Sequence, residues 1–341
     1  MRKKIINSFK FLLFLFIGIA LLYFAFKDTN LQYLWLDLKH ANYNWVILAL
    51  GLSVLSHLSR AIRWKILIEP LGYTPKIRNV FYAVMIGYLA NLAAPRLGEI
   101  SRCGSLNKTD KIPFDSLIGT VIVERTIDLL TLIILTIIIF FSKINFFGDF
   151  ITQNVYLPLS GKFQNMFSSA FWTLFLIGIV FFSLIIIWFF REAISKLKVF
   201  QKLRKIGLGV FDGIKSIYKM KRFSAFVFQT FFMWLMYFLM TWIMVFALPE
   251  TSSLTAIDGL FLLVIGSFGM AAPVQGGIGA FHWIISRGLT IYGIPHEKGL
   301  AFATILHESQ LLMVLILGSI SLIIVVLTRK NSSAELESPV L

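Results

Sequence analysis

The chain has 341 residues, of which 57% are hydrophobic and 14% charged, and its formal net charge is +15. Globular domains carry about 25% charged residues, so this composition excludes an ordinary soluble protein. Membrane topology alone explains the basic charge, and we expect no nucleic-acid partner. We also expect no metal and no cofactor, because the sequence holds no CxxC, HExxH, GxSxG or Walker motif.

Several apolar runs approach or exceed the roughly 20 residues that span a bilayer as a helix. They are Phe11–Phe26, Trp45–Ser59, Leu117–Phe141, Phe171–Phe190, Phe226–Leu248 and Phe302–Thr328. The first run follows a basic start but precedes no small-residue cleavage site, so we interpret it as a retained span and not as a signal peptide. The sequence predicts an all-α polytopic membrane protein with about six full spans.

The distribution of Lys and Arg predicts the orientation of the chain. Met1–Lys10 holds four basic residues, and the stretch Arg60–Arg78 is also basic, so both are expected on the cytoplasmic side. Arg329 and Lys330 place the C-terminus there as well. We therefore expect a multi-pass protein of a bacterial-type cytoplasmic (inner) membrane, with both termini in the cytoplasm.

The segment 191–222 is strongly basic, with ten Lys and Arg residues against Glu192 and Asp212. Its apolar residues recur at roughly helical spacing, which suits an amphipathic helix on an anionic leaflet. A loop that is basic only because it is cytoplasmic is the alternative. We interpret residues 1–330 as one transmembrane domain that contains this segment, and residues 331–341 as a disordered tail.

Two short apolar segments end in the same motif, A-A-P-x-x-G-x-I, at residues 93–100 and 271–278. The flanks of the first are expected inside and those of the second outside, so the two units would be inverted. Short hydrophobic segments interrupted by Gly and Pro at matching positions in two halves indicate a transport site near the bilayer midplane. The sequence thus predicts two re-entrant helical hairpins in an inverted-topology repeat, with chance similarity between two turns as the alternative.

The first hairpin tip carries charged groups at the predicted membrane depth. Pro95 ends the entering half-helix, and Gly98 permits a tight turn or a close approach of ligand. Arg96 adds a guanidinium that matches phosphate geometry, and Arg102 lies further along the returning half-helix. Glu99 would pair with either arginine or meet a cationic or hydroxylated head group. An intrahelical pair of Glu99 with Arg102 is the structural alternative.

A second group of charges lies in the span that follows the first hairpin. Glu124 and Asp128 are four residues apart and therefore share one helix face, whereas Arg125 points about 100° away. Ionisable groups inside a bilayer are costly and need partners. We expect an internal ion network that includes Arg96 or Arg102.

The second half of the chain offers milder candidates. Its tip contributes backbone amides and one side-chain amide, from Gln275, Gly276, Gly277 and Gly279. His282 follows on the returning helix, where it contacts a ligand or makes a hydrogen bond in the core. His307 and Glu308 form either a proton-linked pair or a polar contact between helices. Arg60 and Arg63 are expected at a cytoplasmic interface, as ordinary anchors or as contacts to lipid head groups.

Three motifs together resemble the lysylphosphatidylglycerol synthase transmembrane-region family: NLAAPRLGEISR, ERTIDLL and APVQGGIGAFH. This family is the flippase-like membrane domain of bacterial multiple peptide resistance factors, and it also occurs as stand-alone proteins. The resemblance covers about Lys10 to Lys330 and implies a domain that moves aminoacylated or otherwise modified phospholipids between leaflets. The positions that it carries over are Asn91, Pro95, Arg96, Gly98, Glu99, Arg102, Glu124, Arg125, Asp128, Pro273, Gly276, Gly277 and Gly279. His282 departs from the Glu that the family often has, which puts a cationic aminoacyl substrate in doubt.

We therefore expect a lipid flippase or transporter, and not an enzyme, that moves a phospholipid, aminoacylated or not, or a lipid-linked head group between leaflets. One alternative is a membrane-embedded transferase with Glu99, Asp128 or His307 as general base, and another is a non-transporting scaffold of the cell envelope. The expected partners are membrane phospholipids and the anionic cytoplasmic leaflet, and beyond these a second copy of the chain or an envelope enzyme that modifies lipids.

Overall fold

The structure is a computed structural model that describes residues 16, 18–27, 29–143 and 221–337, with the side chains of the last helix as far as Thr328. The chain divides into two units, one formed by Met1–Leu135 with Lys219–Leu341 and the other by Thr136–Tyr218. Of the second unit, the structure describes residues 136–143, which end a helix. All residues of the candidate site lie in the first unit.

The described residues form α-helices joined by short turns, and no strand occurs among them, which confirms the all-α prediction for this part of the chain. The helices are α1 (Leu31–His40), α2 (Tyr43–Ile68), α3 (Ile77–Ala93), α4 (Leu97–Asp110), α5 (Phe114–Ser142), α6 (Phe223–Met244), α7 (Ala256–Ala271), α8 (Ala280–Thr290) and α9 (His296–Glu337). Residues 18–26 are helical as well. The predicted tail, residues 331–341, overlaps the end of α9, and residues 338–341 lie outside the described ones.

Three stretches within the described ranges are long and apolar enough to cross a membrane. They are Tyr43–Leu71, Phe223–Ala247 and His296–Thr328, and they coincide with three of the predicted spans. The helix α5 covers the predicted span Leu117–Phe141. The predicted span Phe171–Phe190 and the basic segment 191–222, apart from its last two residues, lie outside the described residues.

The long helices α2 and α6 pack against each other and run in opposite directions. At one end, the Nη1 atom of Arg222, just before α6, lies 3.0 Å from Oε1 of Glu69, just after α2. At the other end, the backbone N–H of Asn42 donates to the carbonyl of Ala247 at 2.8 Å. The pair therefore has two ends, which we call the Glu69 end and the Ala247 end.

The helices α3 and α4 form a first hairpin whose base lies at the Glu69 end. Asp110 closes this base, because its Oδ2 accepts a hydrogen bond from Nδ2 of Asn79 at 3.0 Å. Val80, at the start of α3, belongs to one buried cluster with Trp64 and Ile68 near the end of α2. The same cluster includes Leu106 of α4 and Leu117 of α5, so it fixes α5 against the hairpin.

The helices α7 and α8 form a second hairpin whose base lies at the Ala247 end. Gly259, in the first turn of α7, lies against the side chain of Trp242 near the end of α6, where an added Cβ would come within 2.7 Å. Lys298, at the start of α9, pairs at the same end with Oε1 of Glu250 at 2.9 Å and with Oδ1 of Asp37 at 2.6 Å. The two hairpins thus begin at opposite ends of the α2–α6 pair.

Candidate functional site

A buried ion cluster lies where α2, α4 and α5 meet. Glu124 is fully buried, and its carboxylate oxygens lie 2.8 Å from Nε of Arg60, 3.1 Å from Nη1 of Arg102 and 3.4 Å from Nη2 of Arg63. Asp128 lies one helical turn later on the same face. Its oxygens lie 2.5 Å from Nη2 of Arg60 and 2.6 Å from Nη2 of Arg63. Three arginines therefore share two carboxylates.

Aromatic rings support the three guanidinium groups of this cluster. The Cζ atom of Arg102 lies 4.6 Å from the ring centroid of Trp64, which is a favourable cation–π distance. Arg60 lies 5.7 Å from the ring of Tyr88 and also donates to its hydroxyl. Some donors are left over, since Nε and Nη2 of Arg102 make no hydrogen bond within the described residues. Within the described ranges, three arginines face two carboxylates, so the cluster keeps one positive charge without a counter-charge.

The tip of the first hairpin is held by Asn91 and Gly98. Oδ1 of Asn91 accepts a hydrogen bond at 2.7 Å from the backbone N–H of Gly98, a donor in the first turn of α4 that has no partner inside the helix. A Cβ on Gly98 would lie 2.3 Å from the carbonyl oxygen of Gly87 and 2.6 Å from Nδ2 of Asn91. Only glycine fits this close approach of α3 and α4.

Arg96 is the residue that turns the chain at this tip. Its φ of 64° is left-handed, a conformation that is uncommon for a residue with a side chain. Residues in such sparsely populated conformations concentrate at ligand sites and switch regions, where the surrounding structure maintains them. Within the described ranges, Arg96 makes no ion pair, so its guanidinium is the one charged donor of the tip without a carboxylate partner.

Glu99 occupies the first turn of α4 next to this arginine. Its Oε1 lies 2.9 Å from Nη2 of Arg125, and its Oε2 is buried without a hydrogen-bond partner in the described part of the chain. The intrahelical pair of Glu99 with Arg102, considered from the sequence, is replaced by two pairs with α5: Glu99 contacts Arg125, and Arg102 contacts Glu124. The first hairpin is therefore tied to α5 by charge.

A cavity of about 580 Å³ lies between the tips of the two hairpins, a size typical of small-molecule sites. The first tip contributes Pro95, Arg96 and Glu99, and the second contributes Pro273, Gly276 and Gly277. Tyr88 of α3 and polar or aromatic side chains of α2, α5 and α6 complete the wall, and those of the last three helices include His57, Arg60, Arg125, Asp128, Trp234 and Tyr237. The tips touch, because a Cβ on Gly276 would lie 2.9 Å from Cδ2 of Leu92.

The second tip is built from glycines in left-handed conformations. Gly276, Gly277 and Gly279 have φ values of 57°, 77° and 81°, which side chains disfavour. The carbonyl oxygen of Gly276 lies 2.8 Å from Nε2 of His307 in α9. This contact fixes the tip against the last helix.

Behind the second tip, two imidazoles and one carboxylate converge. Oε1 of Glu308 lies 3.0 Å from Nδ1 of His307 and 3.4 Å from Nε2 of His282. Both imidazoles are buried, and their ring centroids are 5.0 Å apart. The pair of His307 with Glu308 that the sequence suggested is present, and His282 joins it.

The chain matches the family model described as the lysylphosphatidylglycerol synthase TM region over residues 11–318. It belongs to this family. The family assignment made from the three motifs is therefore confirmed. A UPF0104 membrane protein of Methanocaldococcus jannaschii is 34% identical over 113 residues, which cover 31% of this chain and 34% of that protein. The match thus spans about a third of the curated relative's length, and no solved structure matches the chain.

The positions that the family resemblance carried over divide into four places in the structure. The cavity wall contains Asn91, Pro95, Arg96, Glu99, Arg125, Asp128, Pro273, Gly276 and Gly277. Arg102 and Glu124 lie behind the wall in the ion cluster, and Gly98 lies in the contact between α3 and α4. Gly279 packs elsewhere, because a Cβ there would lie 2.6 Å from the carbonyl oxygen of Gly18 in the helical residues 18–26.

The remaining predicted residues also have defined places. His307 lies in the cavity wall, whereas His282 and Glu308 stand behind it. Gln275 is buried next to the second tip, and its Nε2 makes no hydrogen bond among the residues described. Several wall residues were not predicted from the sequence, among them His57, Tyr88, Trp234 and Tyr237.

The interfacial position expected for Arg60 and Arg63 is wrong. Both side chains are buried in the ion cluster, where Glu124 and Asp128 of α5 compensate their charge. A signal for this was present in the sequence, since Ser53 and His57 precede Arg60 at helical spacing and form a polar stripe on one face of α2. Such a stripe in an otherwise apolar span is typical of a face that points into the protein.

Proposed function

We propose that this protein is a lipid flippase or transporter of the cytoplasmic membrane, which moves a phospholipid, aminoacylated or not, or a lipid-linked head group between the leaflets. The observation that carries the proposal is the cavity that the two hairpin tips share, with Arg96 and Glu99 in its wall. Membership of a membrane domain family related to lipid modification supports the substrate class. The acyl chains would stay in the bilayer while the head group passes through the cavity.

The lengths and positions of the hairpin helices support re-entrant segments in an inverted repeat. The 17 residues of α3 and the 11 residues of α8 extend about 25 Å and about 16 Å as helices, less than the roughly 30 Å of a bilayer core. The hairpins begin at opposite ends of the α2–α6 pair, yet their tips touch through Leu92 and Gly276. We propose that they enter from opposite faces and meet near the midplane.

The charge balance around the cavity favours an anionic group. Among the residues that the structure describes, the wall and the cluster behind it contain five arginines and three carboxylates, an excess of two positive charges. Arg96 provides a guanidinium that has no carboxylate partner in the described part of the chain, and a guanidinium can bind the two oxygens of a phosphate at once. The buried Oε2 of Glu99 adds an acceptor for a hydroxyl or ammonium of the head group. A phosphodiester with a polar head group therefore suits this site.

Lipid movement in reconstituted vesicles tests the proposal. The purified protein is placed in vesicles that contain a fluorescent phospholipid, and the fraction that an external quencher reaches is followed over time. The double variant Arg96→Ala/Glu99→Ala should slow this movement by about tenfold or more, because each charged hydrogen bond contributes roughly 1.5–3 kcal/mol. The matched control Arg78→Ala/Asp115→Ala removes the same charges from exposed positions and should keep the wild-type rate.

Two results would count against the proposal. Wild-type protein that moves lipid no faster than empty vesicles would argue against transport, and a double variant at the wild-type rate would argue against this site. The hairpin arrangement has its own test, with Cys103→Ser as background and single cysteines introduced at Lys108 and Tyr292. Labelling of the two positions from opposite sides of the membrane is expected, and labelling of both from one side would contradict the inverted repeat.

A further inference from the structure

We propose that His282, His307 and Glu308 bind a divalent transition-metal ion of the zinc class. One ligand atom from each of these residues lies within 4.8 Å of the other two, and the atoms that face one another are Nε2 of His282, Nδ1 of His307 and Oε1 of Glu308. The carboxylate oxygen lies 3.0 Å and 3.4 Å from the two nitrogens. Zinc bonds to nitrogen and oxygen are about 2.0–2.2 Å long, which places tetrahedral ligand atoms about 3.3 Å apart. The two oxygen–nitrogen distances are close to this spacing, and the imidazoles would close any wider separation of their nitrogens when the ion binds.

The hydrogen bonding of His307 shows which of its nitrogens is free to bind. Nε2 lies 2.8 Å from the carbonyl oxygen of Gly276, so it must carry a hydrogen to donate. In the neutral imidazole, Nδ1 then presents a lone pair to the oxygen of Glu308 at 3.0 Å. Two acceptors at this distance need either a second ring proton or a metal ion between them, and the metal ion is the one that we propose. A metal-bound histidine usually donates its other N–H to a carbonyl or carboxylate, and the Gly276 carbonyl provides this partner.

The surroundings of the three ligands suit a transition metal. The imidazoles of His282 and His307 are 2% and 5% exposed, and the ring of Phe281 lies 5.1 Å from that of His307. The side chain of Glu308 is 46% exposed, which leaves a path for the ion to the buried nitrogens. Imidazole ligands favour zinc, copper, nickel or iron over magnesium and calcium. Two histidines and one glutamate also form a known zinc ligand set, with one coordination position left open.

This site is distinct from the phosphate chemistry proposed for the first hairpin. A bound ion would join α8 to α9, and the hydrogen bond from His307 to Gly276 would extend its effect to the second tip. The bound metal would therefore hold the second hairpin in one conformation, much as the cluster of arginines and carboxylates around Glu124 holds the first. Because metal binding is measured directly, its test does not depend on lipid transport.

Metal binding by the purified full-length protein tests the site. The protein is purified in detergent through a tag without histidine, and its zinc content is measured. Cobalt(II) serves as a coloured probe that zinc should displace. We expect one zinc ion per chain and the visible absorption of tetrahedral cobalt. His307→Ala and Glu308→Gln should each weaken cobalt binding by about tenfold or more, since loss of even an outer-shell partner costs roughly 10–100-fold.

The control is His40→Ala, which removes an exposed imidazole outside the cluster and should bind cobalt like the wild type. Glu308→Gln keeps the shape of a half-exposed side chain, and gel filtration checks that both variants remain folded. Wild-type protein without zinc and without a cobalt spectrum would overturn the proposal and indicate a charged histidine–glutamate pair instead. Equal cobalt binding by wild type and Glu308→Gln would overturn it as well.

Discussion

Replacing Glu124 by Gln should strongly destabilise the protein. The carboxylate of Glu124 is fully buried, and its oxygens lie within 3.4 Å of the guanidinium groups of Arg60, Arg63 and Arg102. Glutamine keeps the shape of the side chain but not its charge, so three buried cations would be left with Asp128 alone. Removing one partner from a buried ion pair costs about 3–5 kcal/mol. We expect a loss of this size in the free energy of unfolding, measured in mixed micelles with increasing SDS.

The matched control for this measurement is Asp115→Asn. Asp115 lies in the first turn of the same helix, but it is exposed, and the same chemical change there should cost less than about 0.5 kcal/mol. If Glu124→Gln unfolded at the same SDS fraction as Asp115→Asn, the buried charge would have another source of compensation. That result would refute our account of the cluster.

A double-mutant cycle separates charge balance from lost packing. Arg102→Gln removes the cation whose Nη1 lies 3.1 Å from Oε2 of Glu124, and it also removes the stacking on Trp64. The double variant with Glu124→Gln contains one cation and one anion fewer, so it should be more stable than the sum of the single variants predicts. We expect a coupling energy of about 0.5–3 kcal/mol. Strictly additive losses would show that the two groups do not compensate each other.

Two further changes test the hairpin contact and the Ala247 end. Gly98→Ala would place a Cβ 2.3 Å from the carbonyl oxygen of Gly87 and should abolish stable folding, as judged by gel filtration. The control is Gly104→Ala on the same helix, where a Cβ meets no atom within 4 Å and the change should be neutral or slightly stabilising. Burial works against ionisation of Glu250, but the hydrogen bond from Lys298, a backbone hydrogen bond and the positive charge of Lys298 together outweigh burial and lower the pKa of Glu250 below its ordinary value of 4.5. Because the pKa is lower in the folded state, this carboxylate stabilises the fold above pH 4.5 and the contribution is lost as the pH falls through the folded-state pKa. Wild-type melting temperature should therefore fall more steeply below pH 4.5 than that of Glu250→Gln, and parallel curves would contradict this assignment.

The first hairpin could be predicted because its signals are local. Pro95 and Gly98 interrupt an apolar run, and the structure ends α3 at Ala93 and begins α4 at Leu97. The spacing of Glu124 and Asp128 likewise placed both carboxylates on one helix face, and the pairing of Glu124 with Arg102 follows the expected network. These features depend on the geometry of one segment, which a sequence pattern records.

The partners of most charged groups could not be predicted in the same way. Arg60 and Arg63 precede Glu124 by a whole hairpin, and no periodicity links α2 to α5. Their basic neighbours favoured a cytoplasmic interface, whereas in the structure they are buried against carboxylates of a later helix. The contact of His282 with Glu308 was hidden for the same reason, since the two residues lie on different helices.

The two hairpins are fixed from behind, the first by the ion cluster and the second by His307, so alternating access would require each hairpin to move together with its supporting helices. Movement would then occur where the tips touch, between Leu92 and Gly276. With Cys103→Ser as background, Leu92→Cys and Gly276→Cys would introduce the only two thiols of the chain. We expect oxidation to stop lipid movement in vesicles and reduction to restore it to the rate of the Gly276→Cys single variant, which the left-handed φ of that position slows. Neither single variant should change its rate on oxidation. Unchanged movement in fully cross-linked protein would mean that the tips stay together, and that the cavity opens through the long helices instead.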